Sequence, residues 1–232
     1  MIAIVQQELQ KVAGHNPEHY AKINPTGSKP LGVRMADLRK LAKRIAKGEF
    51  GKACDFLANY PLCYYEDELL HALVIGYLKD DVHTTWQYFL DFLPKVHCWS
   101  VCDTLSQNYK TARKDRAYIY AQLQKLAKSK SEYKLRAVAV VLLSHFLDSD
   151  YLPQAVAMLT SLPHYNYYYV KMAIAWGLAE AISRDNTILD RLNIADKEIR
   201  DMLYSKIIAS CKLQHLRDKV REMRANELYQ RH

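Results

Sequence analysis

The chain has 232 residues, half of them apolar and a quarter charged, so it can bury a core without disulfide or metal staples. Seven glycines and seven prolines are too few for the many hairpin turns of an all-β sandwich or barrel. The formal net charge of +8, with a pI near 9.1, points to a polyanionic partner without saying anything of the fold. In chain order, residues 1–13 read as a first helix, ended by Gly14-His15-Asn16-Pro17. Two prolines and two glycines within 24–32 predict a loop, after which a helix resumes over 35–47 with Leu38, Leu41, Ala42 and Ile45 on one face. Helices then come in pairs: 50–59 with 66–79, 84–93 with 98–108, 111–128 with 132–147, 150–160 with 165–184, and 186–192 with 196–211. A short helix over 214–224 closes the series. A pair every ~30–40 residues predicts an all-α, HEAT-like solenoid, a curved α-α superhelix of antiparallel helix pairs forming one domain over 1–232. A compact irregular helical domain is the structural alternative.

Five cysteines with no CxxC pair speak against a disulfide framework and against a zinc ribbon. Cys98 and Cys102, four residues apart, read as small core residues. The N-terminus has no basic region followed by a long apolar run, and no stretch approaches the ~20 apolar residues of a membrane span. The expectation is a reduced, soluble, cytoplasmic protein with no membrane partner, no metal and no cofactor. The P-loop, GxGxxG, HExxH and GxSxG patterns do not occur. His71, His83 and His97 read as surface or helix-end residues, and His145, inside an apolar helix, as a hydrogen-bonded core residue.

Basic residues cluster in two places. Lys29, Arg34, Arg39, Lys40, Lys43, Arg44, Lys47 and Lys52 crowd one stretch, and a second runs from Lys110, Arg113 and Lys114 to Lys134 and Arg136. In a curved stack such residues can line one concave strip that neutralises phosphates regardless of sequence. They can equally be the solvated face of each helix.

Three places have the residue types that a site needs. Trp99 and Asp103 are one turn apart and off the apolar face made by Val101, Cys102, Leu105 and Tyr109. A ring beside a carboxylate suits a cationic ligand, while the alternative is packing between repeats. In 165–184, Val170, Ala173, Ile174, Gly177, Leu178 and Ala181 form one face, and Tyr165, Tyr169, Met172 and Trp176 a second stripe. That pattern fits either a helix sandwiched between neighbours or the aromatic wall of a cleft. Arg136, at the head of an apolar run, either pairs with an acid inside the stack or clamps a phosphate.

Four blocks, in order over about 30–180, resemble the HEAT-like-repeat DNA alkylation repair proteins, the AlkD-type DNA glycosylases. They are Leu31-Gly32-Val33-Arg34 with the helix start that follows it, Trp99-x-x-x-Asp103, Tyr133-x-x-Arg136 followed by Ala-Val-Ala, and Tyr168-Tyr169-Val170-Lys171-Met172-Ala173-Ile174-Ala175-Trp176. The third is similar to the family's W-x-x-R-x-A-I block with tyrosine for tryptophan, and the fourth to its F-I-Q-K-A-I-G-W block. The resemblance implies that Trp99 and Trp176 flank the sugar of the damaged nucleotide. It implies that Asp103 stabilises the positive sugar or orients water, that Arg136 holds a backbone phosphate, and that Lys171 lies on the nucleic-acid side. It further implies that these residues converge on one concave surface. Cleavage of an N-glycosidic bond passes through an oxocarbenium-like state, and a purine that is already cationic departs without a general acid. Active members carry a second N-terminal helix before the first block. The Asn24-Pro25-Thr26-Gly27-Ser28-Lys29-Pro30 stretch cannot be a continuous helix, which places the chain nearer the branch lacking that element.

The leading reading is therefore a monomeric glycosylase acting on 3-methyladenine or 7-methylguanine in double-stranded DNA, with Lys29, Arg34, Arg39, Lys43, Lys110 and Arg113 on the backbone. The alternatives are a non-catalytic binder of branched or distorted DNA, and a protein-interaction solenoid.

Overall fold

A computed structural model describes residues 1–24 and 28–229. Every regular element among them is a helix. The chain divides into two compact units, Met1–Gln122 and Leu123–His232.

The first unit holds α1 (Ile2–Lys11), α2 (Pro17–Ile23), α3 (Met35–Ala46), α4 (Ala53–Asn59), α5 (Tyr65–Tyr77), α6 (Val82–Phe92) and α7 (Trp99–Asn108). α8 (Arg116–Leu126) carries the chain out of it. α5 packs between α3 and α7. Its head meets the head of α7, where Tyr65 Oη donates to Ser100 Oγ at 2.9 Å. The tails also meet, because a Cβ on Gly76 would lie 2.6 Å from the Asn108 carbonyl. At the tail of α3, Lys43 Nζ stands 5.5 Å from the Tyr77 ring centre. The three helices therefore run parallel as one layer, and α4 and α6 return the chain between them. Phe56, Phe89, Phe92, Leu105 and Tyr109 fill the space between layers and are almost fully buried. Each such side chain contributes about 1.5–3 kcal/mol by leaving water.

The second unit repeats the plan. α9 (Glu132–His145), α10 (Leu152–Ser161), α11 (Tyr168–Ile182), α12 (Ile188–Arg191), α13 (Lys197–Ala209) and α14 (Arg217–Tyr229) follow in order. α11 packs between α9 and α13, with α10 and α12 also against it. Their heads meet: Glu132 Oε1 accepts the Tyr169 N–H at 3.4 Å, and Lys171 Nζ lies 2.7 Å from Glu198 Oε2. The sandwiched reading of α11 thus holds, and its Val170-Ala173-Ile174-Gly177-Leu178-Ala181 face is buried.

The all-α stack of helix pairs expected from the sequence holds within each unit, with local corrections. α2 was not drawn from the sequence. Asn16 caps it by accepting the His19 N–H, and Pro17 stands at its first position, where no N–H is needed. Of the expected loop after it, 28–34 has no regular structure, and residues 25–27 lie outside the described residues. The helix expected over 111–128 is broken into a 3-10 turn, Lys110–Arg113, and α8, because the Asp115 carboxylate takes the Tyr118 N–H and starts a new helix. The expected start of α11 at 165 fails because Tyr165 and Asn166 have φ of 43° and 68°, which no right-handed helix accepts. Residues 211–216 are a 3-10 stretch and α14 continues five residues beyond the expected end, to Tyr229.

Candidate nucleic-acid interface

Within each unit the sequence blocks begin at the helix heads of its parallel layer, and the last runs past the middle of α11 to Trp176. In the first unit the loop before α3 is fixed by one buried side chain. Glu66, fully buried on α5, accepts the backbone N–H groups of Leu31, Gly32 and Val33 at 2.7, 2.8 and 3.1 Å. A carboxylate out of water needs such donors, and three of them supply what water would have given. Beside it, Asp67 Oδ2 accepts the Cys63 and Tyr64 N–H groups and so caps α5. Ser28 Oγ donates to Glu68 Oε1 at 2.5 Å, and burial pushes the Glu68 carboxyl above its ordinary range against that hydrogen bond. Ser100, next to Trp99, bonds both Tyr65 and the buried Asn24. Loop, α5 and α7 are thus tied together at the edge where Trp99 begins its helix.

Trp99 is half-buried, and Asp103, one turn below, is 7 % exposed. The expected apolar face of α7 is correct, since Val101, Cys102, Leu105 and Tyr109 are all fully buried. Asp103, however, does not stand clear of the packed part of the molecule as its place off that face suggested. Asp103 is itself buried, and Trp99, one turn earlier, is partly exposed. Cys98 and Cys102 are buried and in no disulfide, as expected.

In the second unit Arg136 is 5 % exposed. Its Nη1 donates to the Tyr169 carbonyl at 2.5 Å, and its guanidinium lies 5.9 Å from the Tyr169 ring centre. A backbone carbonyl and a ring of the next helix pair are thus among its partners. Lys171 is 3 % exposed and holds Asn166 Oδ1 at 2.8 Å, Glu198 Oε2 at 2.7 Å and Asp196 Oδ2 at 3.1 Å. Its ammonium therefore organises the protein's own head edge. The hydrogen bond to Glu198 leads in raising its pKa, against burial. Trp176 is half-buried, with Lys206 Nζ 6.0 Å from its ring centre.

The basic residues do not share one edge. Lys29 and Arg34 are exposed at the head of α3, and Arg39 midway along it. Lys43 is exposed at its tail, and Lys110 and Arg113 follow the tail of α7. A 12-residue helix is about 18 Å long, so the two groups stand that far apart. At the tail edge Lys43, Lys47, Lys52 and Lys79 line a cleft of about 810 Å³ with Tyr77 and Tyr88. Arg44, by contrast, is engaged by Glu8 and Glu49.

His71 departs from its expected surface position. It is 4 % exposed and stacked on Phe92 at 4.4 Å and 12°. Among the described residues no group of three His, Cys, Asp or Glu side chains is placed to hold a metal, and no helix is long and apolar enough to cross a membrane.

Among curated proteins no match is found. A family model described as DNA alkylation repair enzyme matches residues 5–191, a span that takes in the Glu66-anchored loop, the Trp99–Asp103 turn, Arg136 and the whole of α11. With four-fifths of its length matched, the chain belongs to the DNA alkylation repair enzyme family.

Proposed function

We propose that the protein is a DNA N-glycosylase that releases cationic alkylated purines, 3-methyladenine and 7-methylguanine, from double-stranded DNA. The observation that carries this reading is the Trp99–Asp103 turn at the head of α7, within the family match. A partly exposed ring lies one helical turn before a carboxylate held out of bulk water. In such a place a negative charge acts on a developing sugar cation far more strongly than it does in water. The leaving purine already carries positive charge, so departure requires no proton donor. Asp103 either faces the cation or orients the water that captures it. Lys29 and Arg34, exposed at the same edge, are suited to DNA phosphates, with Arg39, Lys43, Lys110 and Arg113 extending the contact.

Base release from methylated DNA tests this directly. Wild type is expected to free 3-methyladenine or 7-methylguanine, and Asp103→Asn to lose at least about a hundredfold in rate. Backbone binding by Asp103→Asn should persist, because the substitution removes a negative charge. Release by both proteins at equal rates would take Asp103 out of the chemistry.

A second reading, DNA binding without excision, is favoured by α2, which stops after seven residues. In the glycosylase branch the second N-terminal helix helps to grip the duplex. Here a second N-terminal helix, α2, does precede the Leu31–Arg34 block, contrary to the expectation from the sequence, but at seven residues it offers only about two turns for such a grip. Salt-sensitive binding of methylated DNA with no base released by wild type would decide for this second reading.

A further inference from the structure

The turn into α11 contains four tyrosines in five residues, Tyr165-Asn166-Tyr167-Tyr168-Tyr169. Among the described residues the exposed large apolar side chains are Ile4, Val12, Tyr165 and Tyr168, and both aromatic ones lie in this turn, about half exposed. Each meets a neighbouring tyrosine edge-on, and that neighbour is itself tethered. Tyr165 meets Tyr167 at 6.2 Å and 63°, and Tyr167 is pinned by donating from Oη to the Lys130 carbonyl at 3.1 Å. Tyr168 meets Tyr169 at 5.4 Å and 74°. Tyr169 in turn is held at both backbone groups, by Glu132 and by Arg136, with the guanidinium near its ring.

The backbone beneath is strained. Asparagine tolerates the left-handed region; a tyrosine at φ 43° does not adopt it without cost. The strain is held by buried Lys171, which fixes the Asn166 side chain while it binds Asp196 and Glu198. His164, at the start of the turn, meets the same Asp196 oxygen at 3.5 Å. An ion hub centred on a buried lysine that holds a strained turn, so that two large rings stand in solvent, is a costly way to leave a surface bare. Such strain collects at sites that must be organised in advance.

We propose that Tyr165 and Tyr168 form a stacking platform for unpaired nucleobases, so that the protein selects DNA in which a base has left its pair. The inference builds on the DNA-binding reading above and narrows it. Tyrosine faces accept any base without reading its edge, and exposed Lys130 beside them supplies charge for the backbone. A fully paired duplex keeps its bases stacked inside and offers these rings nothing.

The test is binding of the full chain to two duplexes that differ only in one bulged 2-aminopurine, followed by fluorescence and by competition. Wild type should prefer the bulged duplex and quench the probe. Tyr165→Ala and Tyr168→Ala should each lose about fivefold or more in affinity for the bulged duplex, with binding of the paired duplex unchanged. Tyr165→Phe and Tyr168→Phe, which keep the ring, should behave as wild type. Equal affinity of wild type for the two duplexes would overturn the proposal, as would equal losses by the alanine variants on both. No salt-sensitive binding to either duplex would instead remove the DNA-binding reading, and this proposal with it.

Discussion

The Glu66 carboxylate accepts the Gly32 N–H at 2.8 Å from across the first unit, thirty-four residues away in sequence. That bond and its two neighbours fix the loop at the point where Gly32 has φ 80° and where an added Cβ would lie 2.8 Å from the His15 carbonyl. Loop, α2 entry and α5 head are therefore one construction. Glu66→Gln keeps the shape but turns an amide N–H₂ toward backbone N–H donors. Its expected cost is about 2–3 kcal/mol, because it leaves buried donors unanswered. Chemical denaturation gives the loss. Hydrogen exchange should show the amides of 31–33 losing protection ahead of those in α9 or α11. Uniform loss of protection throughout the chain would mean that Glu66 supports the fold in general and not the loop.

Lys171 offers a second case of one buried charge setting an edge. Lys171→Met preserves the aliphatic stem and removes the ammonium, leaving Asp196 and Glu198 without their shared partner. Both acids retain some solvent, so the expected loss is about 2–4 kcal/mol, less than for a fully enclosed pair. The sign of the pH dependence follows from the shifts. Lys171 is raised, so its contribution is present below its unfolded value of about 10.4 and fades as pH climbs through the folded one. Asp196 is lowered: burial works to raise it, but the Ile199 N–H and Lys171 outweigh burial. Its contribution is present above about pH 3.9 and fades as pH falls. The stability gap between wild type and variant should be flat from about pH 5 to 9 and narrow below about pH 4. A gap that varies across the neutral range would show the hub to be incompletely charged there.

The helices were legible because burial follows the 3.6-residue period closely. Val101, Cys102 and Leu105 on α7 and the Val170-to-Ala181 face of α11 are buried as their spacing says. What sequence concealed was charge turned inward. Glu66, Asp67 and Glu68 at a helix head look like acids complementing the dipole in solvent, yet all three are buried. Loop 28–34 bonds Glu66 and Glu68 while Asp67 turns back on Tyr60, Cys63 and Tyr64, and no local pattern says that a loop will fold over the first two. Lys171 was placed on the nucleic-acid side by resemblance alone, and its partners Asp196 and Glu198, on the next repeat, are as far beyond local pattern. α2 was within reach: Asn16-Pro17 is a cap followed by proline at the first helical position, but two turns give too little periodicity to register. The blocks pointing to Trp99, Asp103, Arg136 and Trp176 came through resemblance. Spacing alone left each of them open.

His71 predicts a pH dependence of the opposite kind. Burial, helped by the charge of Lys95, pushes its pKa down to about 3, so the folded protein holds it neutral against Phe92. The unfolded chain binds a proton at about 6.5, and folding below that pH must release it. Wild-type stability should therefore decline from about pH 6.5 downward, by up to about 1.4 kcal/mol per pH unit from this residue alone. His71→Phe keeps the stack and removes the titration. Its denaturation midpoint should fall less than that of wild type between pH 7 and pH 4.5. Parallel decline of the two proteins would mean that other groups govern the acid limb.

Gly76 and Gly177 lie inside helices, and alanine should be tolerated at the second but not at the first. In both places the substitution gains about 1 kcal/mol of helix propensity. At Gly76 the new methyl would stand 2.6 Å from the Asn108 carbonyl oxygen and 2.9 Å from its carbon, which is backbone at the tail of α7. Relief requires α5 and α7 to separate, and overpacking of this kind costs about 1–3 kcal/mol or more. At Gly177 the nearest atoms are the Leu159 methyls at 2.9 and 3.0 Å, the far end of a side chain that can turn away. Gly177→Ala should thus lie within about 1 kcal/mol of wild type, while Gly76→Ala should be clearly destabilised. Because α7 carries Trp99 and Asp103, Gly76→Ala should also reduce base release if the glycosylase reading holds, under conditions where the variant remains folded. A Gly76→Ala protein with wild-type stability would show that α7 shifts freely at its tail, and the rigid placement of the Trp99–Asp103 turn would then have to come from the Tyr65–Ser100–Asn24 ties at its head.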